Sequence, residues 1–165
     1  MFKLKIEKTH SQLYLKIIDE IRNSDPETGD LVLAGLITLS PPKLLERDER
    51  IFAIYGKREK TILSSCYQIL SQEVNKRLSG NCIGGRKGFS RHSFMDFLNR
   101  AKEQKLNWVV ITDVKSFFAS ISHENLWKIL KERFRIAKDV RKLLTDLLSL
   151  GAPADEPKGI FPGNP

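Results

Sequence analysis

A five-residue apolar run, Trp108–Thr112, constrains the fold more than any other feature of this 165-residue sequence. Its residues, WVVIT, are short of a helix and rich in β-branched side chains, so we expect a buried central strand that ends at Asp113. Amphipathic helical stretches lie on both sides of this run. Helices that alternate with few, buried strands are typical of an α+β fold rather than a helix bundle.

Apolar residues at helical spacing predict five amphipathic helices. They cover Thr9–Arg22, Cys66–Leu78, Ser90–Gln104, His123–Arg133 and Lys138–Leu150. We expect Asp25-Pro26 and Thr28-Gly29-Asp30 to stop the first helix, and Phe94, Phe97, Leu98 and Ala101 to face inward on the third. The segment Leu31–Leu39 fits either a strand or a buried helix turn. Ser40-Pro41-Pro42, Gly80–Gly88 and Gly151–Pro165 are predicted breaks or loops.

A second strand-like segment, Arg50–Tyr55, precedes a charged stretch. We interpret Gly56–Lys60 as a turn and Thr61–Leu63 as the returning strand, which together form a β-hairpin with a basic tip. Lys57, Arg58 and Lys60 at this tip are either ordinary exposed charges or contacts to a triphosphate or template backbone.

The positive charge of the chain is concentrated in one segment. Residues 50–105 contain 12 basic and 4 acidic residues, a surplus that equals the formal net charge of +8 of the whole chain. A concentrated basic surface is typical of polyanion binding, because neutralised phosphates release counterions. The alternative is a solvated basic face with no ligand.

Composition excludes several classes of protein. A hydrophobic content of 41% and a charged content of 29% exclude a disordered chain, and the longest apolar runs are too short for a membrane span. Lys3, Lys5, Glu7 and Lys8 interrupt any signal peptide. Two cysteines, Cys66 and Cys82, do not make a disulfide framework, so we expect a reducing compartment and a cytoplasmic protein. We expect both cysteines to be buried as small apolar residues. We also expect Trp108 and Phe117 to lie in the core.

The stretch from Asp113 to His123, DVKSFFASISH, is the most specific motif in the sequence. An Asp after a strand is by itself more often a cap or turn residue. Here two aromatic residues follow four and five positions later, and then come Ile121 and a Ser-His entry into a helix. This stretch resembles the first catalytic palm motif of reverse transcriptases of the retron or group II intron type.

Two other stretches agree with that resemblance in order and spacing. Gly159–Pro165, GIFPGNP, is similar to the next palm motif, G-[IL]-P-Q-G-x-P, with Phe161 and Pro162 in place of the usual Pro and Gln. The segment Gly85–Ser90, with the basic hairpin upstream, resembles the fingers of these enzymes. The resemblance covers roughly residues 46–165. It implies a helical N-terminal extension over 1–45, fingers over 46–105 and an incomplete palm over 106–165.

The resemblance implies an RNA-directed DNA polymerase that transfers nucleotides to a primer 3′-hydroxyl with two Mg²⁺ ions. Asp113 would be catalytic and would ligate metal, Val114 would add a carbonyl ligand, and Phe118 would act as the nucleotide sugar gate. Partners would be an RNA template, a DNA primer and dNTP. The corresponding binding residues would be Lys57, Arg58, Lys60, Arg86, Lys87 and Arg91, with Gly159, Gly163 and Pro165 in the palm loop near the nucleotide.

The remaining carboxylates of such an enzyme belong to a later Asp-Asp turn that this sequence lacks. We therefore expect a catalytically incomplete N-terminal fragment. The alternative is a non-catalytic nucleic-acid-binding protein with a polymerase-like palm, and a third reading is an RNA-directed RNA polymerase, which the aromatic residue at position 118 disfavours. The glycines before Arg86 and Lys87 are a poor match to a P-loop, and the three histidines have no zinc-ligand spacing.

Overall fold

The computed structural model describes residues 10–47, 50–79, 82, 91–106, 108, 110–115 and 117–150. These residues form mainly helices together with one two-stranded antiparallel sheet, consistent with the predicted α+β class. The elements in chain order are α1 Gln12–Ser24, α2 Pro26–Ala34, β1 Lys43–Arg47, β2 Arg50–Ile54, α3 Lys57–Asn75, α4 Arg91–Glu103, α5 Phe117–Ser120, α6 His123–Phe134 and α7 Lys138–Ser149.

The first helix ends where the sequence predicts, but a second helix follows at once. Asp25 ends α1 and caps α2, because its carboxylate accepts hydrogen bonds from the Thr28 N–H and hydroxyl at 3.2 and 2.8 Å. Thr28, Gly29 and Asp30 therefore lie inside α2, and the prediction that they stop a helix is wrong. A Cβ at Gly29 would clash with the Arg22 side chain, so the glycine permits the close approach of α1 and α2.

The predicted basic hairpin is wrong in its second half. The strand Arg50–Ile54 is present, but it pairs with the upstream β1 in a register that runs from Lys43–Ile54 to Arg47–Arg50. The predicted turn and returning strand instead form the first two turns of α3, which begins nine residues before the predicted helix start at Cys66. Lys-, Arg- and Glu-rich sequence after Gly56 favours a helix, since straight-chain residues lose little rotamer freedom there.

The apolar core lies around α1, which packs against α2, α3 and α7. The tyrosine at position 14 reaches the second helix, because its hydroxyl donates to the Val32 carbonyl at 3.2 Å. Buried core residues come from both ends of the described chain: Tyr14, Ile17, Ile18, Ile21, Val32, Ile62, Cys66, Ile136, Val140, Leu143 and Leu147. The predicted segments 1–45, 46–105 and 106–165 thus all contribute described residues to one core, and their functional assignment stays a prediction.

Three of the predicted helices further along the chain are present with nearly the predicted bounds, as α4, α6 and α7. Two details of burial are wrong. Phe94 and Phe97 of α4 are about half exposed rather than inward-facing, and Cys82 is exposed whereas Cys66 is buried as expected. Burial raises the pKa of the Cys66 thiol to about 12.

In the part of the chain that the structure describes, no helix combines the length and apolar character needed to cross a membrane.

Candidate functional site

The described residues before Asp113 are exposed rather than part of a buried strand. Trp108, Val110 and Ile111 are 92%, 86% and 90% exposed, and the described residues of this segment form no strand. The prediction of a buried central strand, and with it a core position for Trp108, is therefore wrong. An apolar run becomes a strand only where another strand supplies hydrogen-bond partners, and no described strand pairs with this one.

Asp113 itself is exposed, and the chain turns two residues after it, at Lys115. The one-turn helix α5 then carries the two aromatic residues of the motif. The Phe117 and Phe118 rings pack edge to face with their centroids 5.4 Å apart, and they are 51% and 45% exposed. The expectation that Phe117 lies in the core is wrong, since this residue is about half exposed and its described aromatic contact is with Phe118. The Ser120 hydroxyl donates to the Phe117 carbonyl at 3.0 Å and closes this turn.

The Ser-His entry predicted at the end of the motif begins α6. The Ser122 hydroxyl accepts from the Asn125 N–H at 3.3 Å, which makes Ser122 the N-cap and His123 the first helical residue. The Ser122 carbonyl accepts from the Leu126 N–H at 2.9 Å. The motif therefore has a defined order of local structures: an exposed carboxylate, a turn, a single helical turn with two phenylalanines, and a capped helix.

The described residues do not by themselves fit a two-magnesium centre. Asp113 is a single exposed carboxylate, and no group of three His, Cys, Asp or Glu side chains that could hold a metal ion occurs within the described ranges. Mg²⁺ dehydrates reluctantly and is held by carboxylates together with substrate phosphates. Asp113 with the exposed Val114 beside it is thus at most one part of such a centre.

The predicted phosphate-binding residues Lys57, Arg58 and Lys60 lie exposed in the first turn of α3. They have acidic neighbours on α2. Arg58 lies 3.8 Å from the Glu27 carboxylate. Hydrogen bonds from Thr28 lower the pKa of Asp25, and the charges of Lys57 and Arg58 lower it further. A phosphate that binds here would therefore compete with these carboxylates.

Glu59 holds the same turn of α3 against the rest of the chain. Its side chain is almost fully buried, and its carboxylate accepts from the Ser40 N–H at 2.8 Å. A Cβ at Gly56 would lie 2.6 Å from the Glu59 Oε2 atom, so the glycine leaves room for this contact. The buried Glu59 thus fixes the start of α3, on which the three exposed basic residues are carried.

Several predicted site residues cannot be placed relative to Asp113. Arg86, Lys87, Gly159, Gly163 and Pro165 lie outside the described residues. Arg91 is the first residue of α4. Their assignment to template, triphosphate or palm-loop contacts stays a prediction.

A pocket that the sequence did not reveal lies where α6 meets α7. Its volume is about 240 Å³, and its lining combines three apolar with three basic residues: Trp127, Leu130, Lys131, Ile136, Lys138 and Arg141. The pocket lies outside residues 50–105, the segment that carries the surplus positive charge. The signal available in the sequence was the pair of basic residues three apart on α7 and an aromatic residue four positions before Lys131 on α6.

Comparison with known proteins identifies no family. No family model matches the sequence, and no curated protein matches it. The fold is similar to a chain in a solved structure described as "Partial Cas6-RT-Cas1--Cas2 complex", with 16% sequence identity and a TM-score of 0.48. The match covers 93% of the present chain and 28% of that chain, so the present chain spans less than a third of its length.

Proposed function

We propose that this chain is the fingers and first palm segment of a reverse-transcriptase-type nucleotidyltransferase. The observation that carries the proposal is the Asp113–His123 motif, in which the exposed carboxylate is followed by a turn, the paired phenylalanines of α5 and the Ser122-capped α6. This order fits the sequence pattern of the first palm motif throughout its length. In this proposal Asp113 contacts metal-bound substrate and Phe118 contacts the sugar of the incoming nucleotide.

In the proposed enzyme, residues 1–165 bind substrate but do not complete the catalytic set. A single exposed carboxylate holds Mg²⁺ weakly against water. When bound, two Mg²⁺ ions would supply charge neutralisation to the attacking and leaving oxygens of nucleotidyl transfer. The chain's own part is to present Asp113, to select the sugar and to hold template and primer with basic residues.

The runner-up is a non-catalytic nucleic-acid-binding protein. It is favoured by the exposed basic side chains of Lys57, Arg58 and Lys60, which need no metal ion to bind phosphate. Both hypotheses expect binding of nucleic acid by the basic residues, whereas only the first expects Asp113-dependent synthesis.

Nucleic-acid binding by the chain 1–165 is tested with a labelled RNA template annealed to a DNA primer, by fluorescence anisotropy over a series of salt concentrations. We expect the logarithm of the association constant to fall steeply with the logarithm of salt, because bound phosphates release counterions. The triple substitution Lys57→Ala, Arg58→Ala, Lys60→Ala should reduce the slope by roughly one unit for each phosphate that the variant no longer neutralises.

The matched control removes the same charge elsewhere, with Lys16→Ala, Lys43→Ala and Lys142→Ala at exposed positions on α1, β1 and α7. It should change the slope much less. An equal reduction in both triple variants would mean that only net charge matters and would remove α3 from the proposed binding surface. Binding that does not depend on salt would contradict the proposed function.

A further inference from the structure

The pocket between α6 and α7 is lined by apolar and basic side chains. The apolar part of the lining consists of Trp127, which is only 8% exposed, together with Leu130 and Ile136. Lys131 and Lys138 are exposed, one on each helix. None of the described residues that line the pocket is acidic. A cavity lined by basic side chains and by no acidic ones favours an anionic ligand.

Arg141 is held in place by Trp127, in the apolar part of the pocket lining. Its guanidinium carbon lies 5.7 Å from the centroid of the Trp127 ring, which is within the range of a cation–π contact. The planar guanidinium presents N–H donors at its edge even when one face covers an aromatic ring. Arg141 is therefore positioned before any ligand arrives, and less side-chain entropy is lost when it binds a phosphate.

Two acidic residues adjoin the lining residues in sequence, Glu132 and Asp139, and Asp139 contacts the start of α1. Its two carboxylate oxygens accept from the Ser11 N–H at 2.6 Å and from the Ser11 hydroxyl at 2.7 Å, at the start of α1. In the part of the chain that the structure describes, this carboxylate joins α7 to α1 and forms no ion pair with Lys138 or Arg141.

We propose that this pocket binds the phosphate backbone of nucleic acid, as a second contact separate from residues 50–105. Lys131, Lys138 and Arg141 would contact phosphate oxygens, and Trp127 would support Arg141. The preference for an anion follows from the pocket itself, whereas the choice of nucleic acid rests on the proposed function. An acidic peptide is the competing ligand class.

The two tryptophans of the chain give a direct readout. Trp108 is exposed and distant in sequence from the pocket, so Trp108→Phe leaves Trp127 as the single indole reporter. We expect a uridine 20-mer to change the Trp127 emission saturably, because a phosphate that engages Arg141 alters the contact over the ring. Poly-glutamate of equal charge should cause little change.

Specificity is tested in the same background with Lys131→Gln, Lys138→Gln against the matched control Lys128→Gln, Lys142→Gln, which removes equal charge from the same two helices. All four lysines are exposed, so both double variants should fold. The pocket variant should weaken binding of the 20-mer about tenfold at low salt, as expected when two phosphates are no longer neutralised. The control should change it less than about threefold.

Four results would overturn the inference. One is 20-mer binding, detected by anisotropy, that leaves Trp127 emission unchanged. The second is an equal effect of the two double variants. The third is an equal emission change with poly-glutamate, which would make the ligand a general polyanion or acidic peptide. Loss of binding in the Lys57, Arg58, Lys60 variant, with the pocket variant unaffected, would contradict the pocket but leave the proposed function standing.

Discussion

Asp113 and Phe118 are the residues on which the proposed chemistry depends, and both are accessible. The exposed carboxylate precedes a turn, and the phenylalanine ring remains 45% exposed although it packs against Phe117. The sequence predicted that Phe117 lies in the core and that Phe118 faces the site, whereas the two rings contact each other. It did not reveal that both rings are about equally exposed, because adjacent residues on a one-turn helix need not divide between core and surface.

Sugar selection by Phe118 is testable in the complete gene product. We expect Phe118→Val to lower the ratio of kcat/KM for dNTP over NTP by roughly ten- to hundredfold, because a ring under the sugar excludes a 2′-hydroxyl and offers it no hydrogen-bond partner. Phe117→Val is the matched control. Since both rings are about half exposed, we expect both variants to fold, and a difference between them reports on the site rather than on stability.

The roles of the two aromatic residues would be reversed if Phe117→Val relaxed sugar selection and Phe118→Val did not. If neither substitution changed the ratio, position 118 would not act as a sugar gate. The aromatic pair would then only stabilise the turn after Asp113.

At the scale of elements, four helices were predictable, whereas α2, the first two turns of α3 and the strand partner were not. The periodicity of α1, α4, α6 and α7 is a local property, so their bounds follow closely from the sequence. Arg50–Ile54 was identified as a strand, but its partner is the upstream Lys43–Arg47, whose sequence KLLER lacks an alternating pattern. The choice between two flanking partners depends on packing, which no local pattern records.

The join between α1 and α7 is an element-scale contact that no sequence pattern indicated. Ser11 caps α1 and donates two hydrogen bonds to Asp139, 128 residues away. Burial raises the pKa of Asp139, but the hydrogen bonds from Ser11 and from the Val140 and Asp139 N–H groups together lower it more, so the net pKa lies below its ordinary value. The ionised carboxylate therefore stabilises the folded chain.

Acid should weaken this join. An aspartate with a lower pKa in the folded than in the unfolded chain stabilises the fold above the unfolded pKa, and the contribution is lost as pH falls through the folded pKa. We expect the free energy of unfolding of the wild type to decline below about pH 4, and Asp139→Asn to show a shallower decline. Urea unfolding between about pH 2.5 and 7 measures both curves.

Ser11→Ala removes the cap and the donor hydroxyl together, so we expect it to lower the free energy of unfolding by about 1–2 kcal/mol at neutral pH. Ser64→Ala, at an exposed position in the middle of α3, is the matched control and should be neutral or slightly stabilising. Equal stability of the wild type and Ser11→Ala, or parallel pH curves for the wild type and Asp139→Asn, would contradict the role given to this join.

At the scale of the whole molecule, one core connects the beginning and the end of the described chain. Ile17 and Ile21 of α1 share it with Val140 and Leu147 of α7. The α+β class was predictable because the apolar stripes of the helices outnumber the strand-like runs. The exposure of Trp108, Val110 and Ile111 was not predictable, since an apolar β-branched run predicts a strand only on the assumption that a partner strand is present.

The motif and the pocket also differ in how far the sequence predicts them. The Asp113–His123 motif could be identified from the sequence because its residues are contiguous and their spacing is specific. The pocket lined by Lys131, Lys138 and Arg141 could not, because it depends on the way α6 and α7 meet. The sequence left the contacts between elements undetermined, and it also missed α2 and the first two turns of α3.

The central proposal, that Asp113 belongs to a nucleotidyltransferase site, is tested most directly by primer extension. The measurement compares the complete gene product with its Asp113→Asn variant, with Mg²⁺, dNTPs and an RNA template annealed to a DNA primer. Asp146→Asn, at an exposed position on α7, is the matched control. We expect Asp113→Asn to abolish extension while template–primer binding stays within about twofold, and Asp146→Asn to retain activity. Extension by Asp113→Asn at the wild-type rate, or no extension by a wild-type protein that binds template–primer, would contradict the proposal and favour a non-catalytic binding protein.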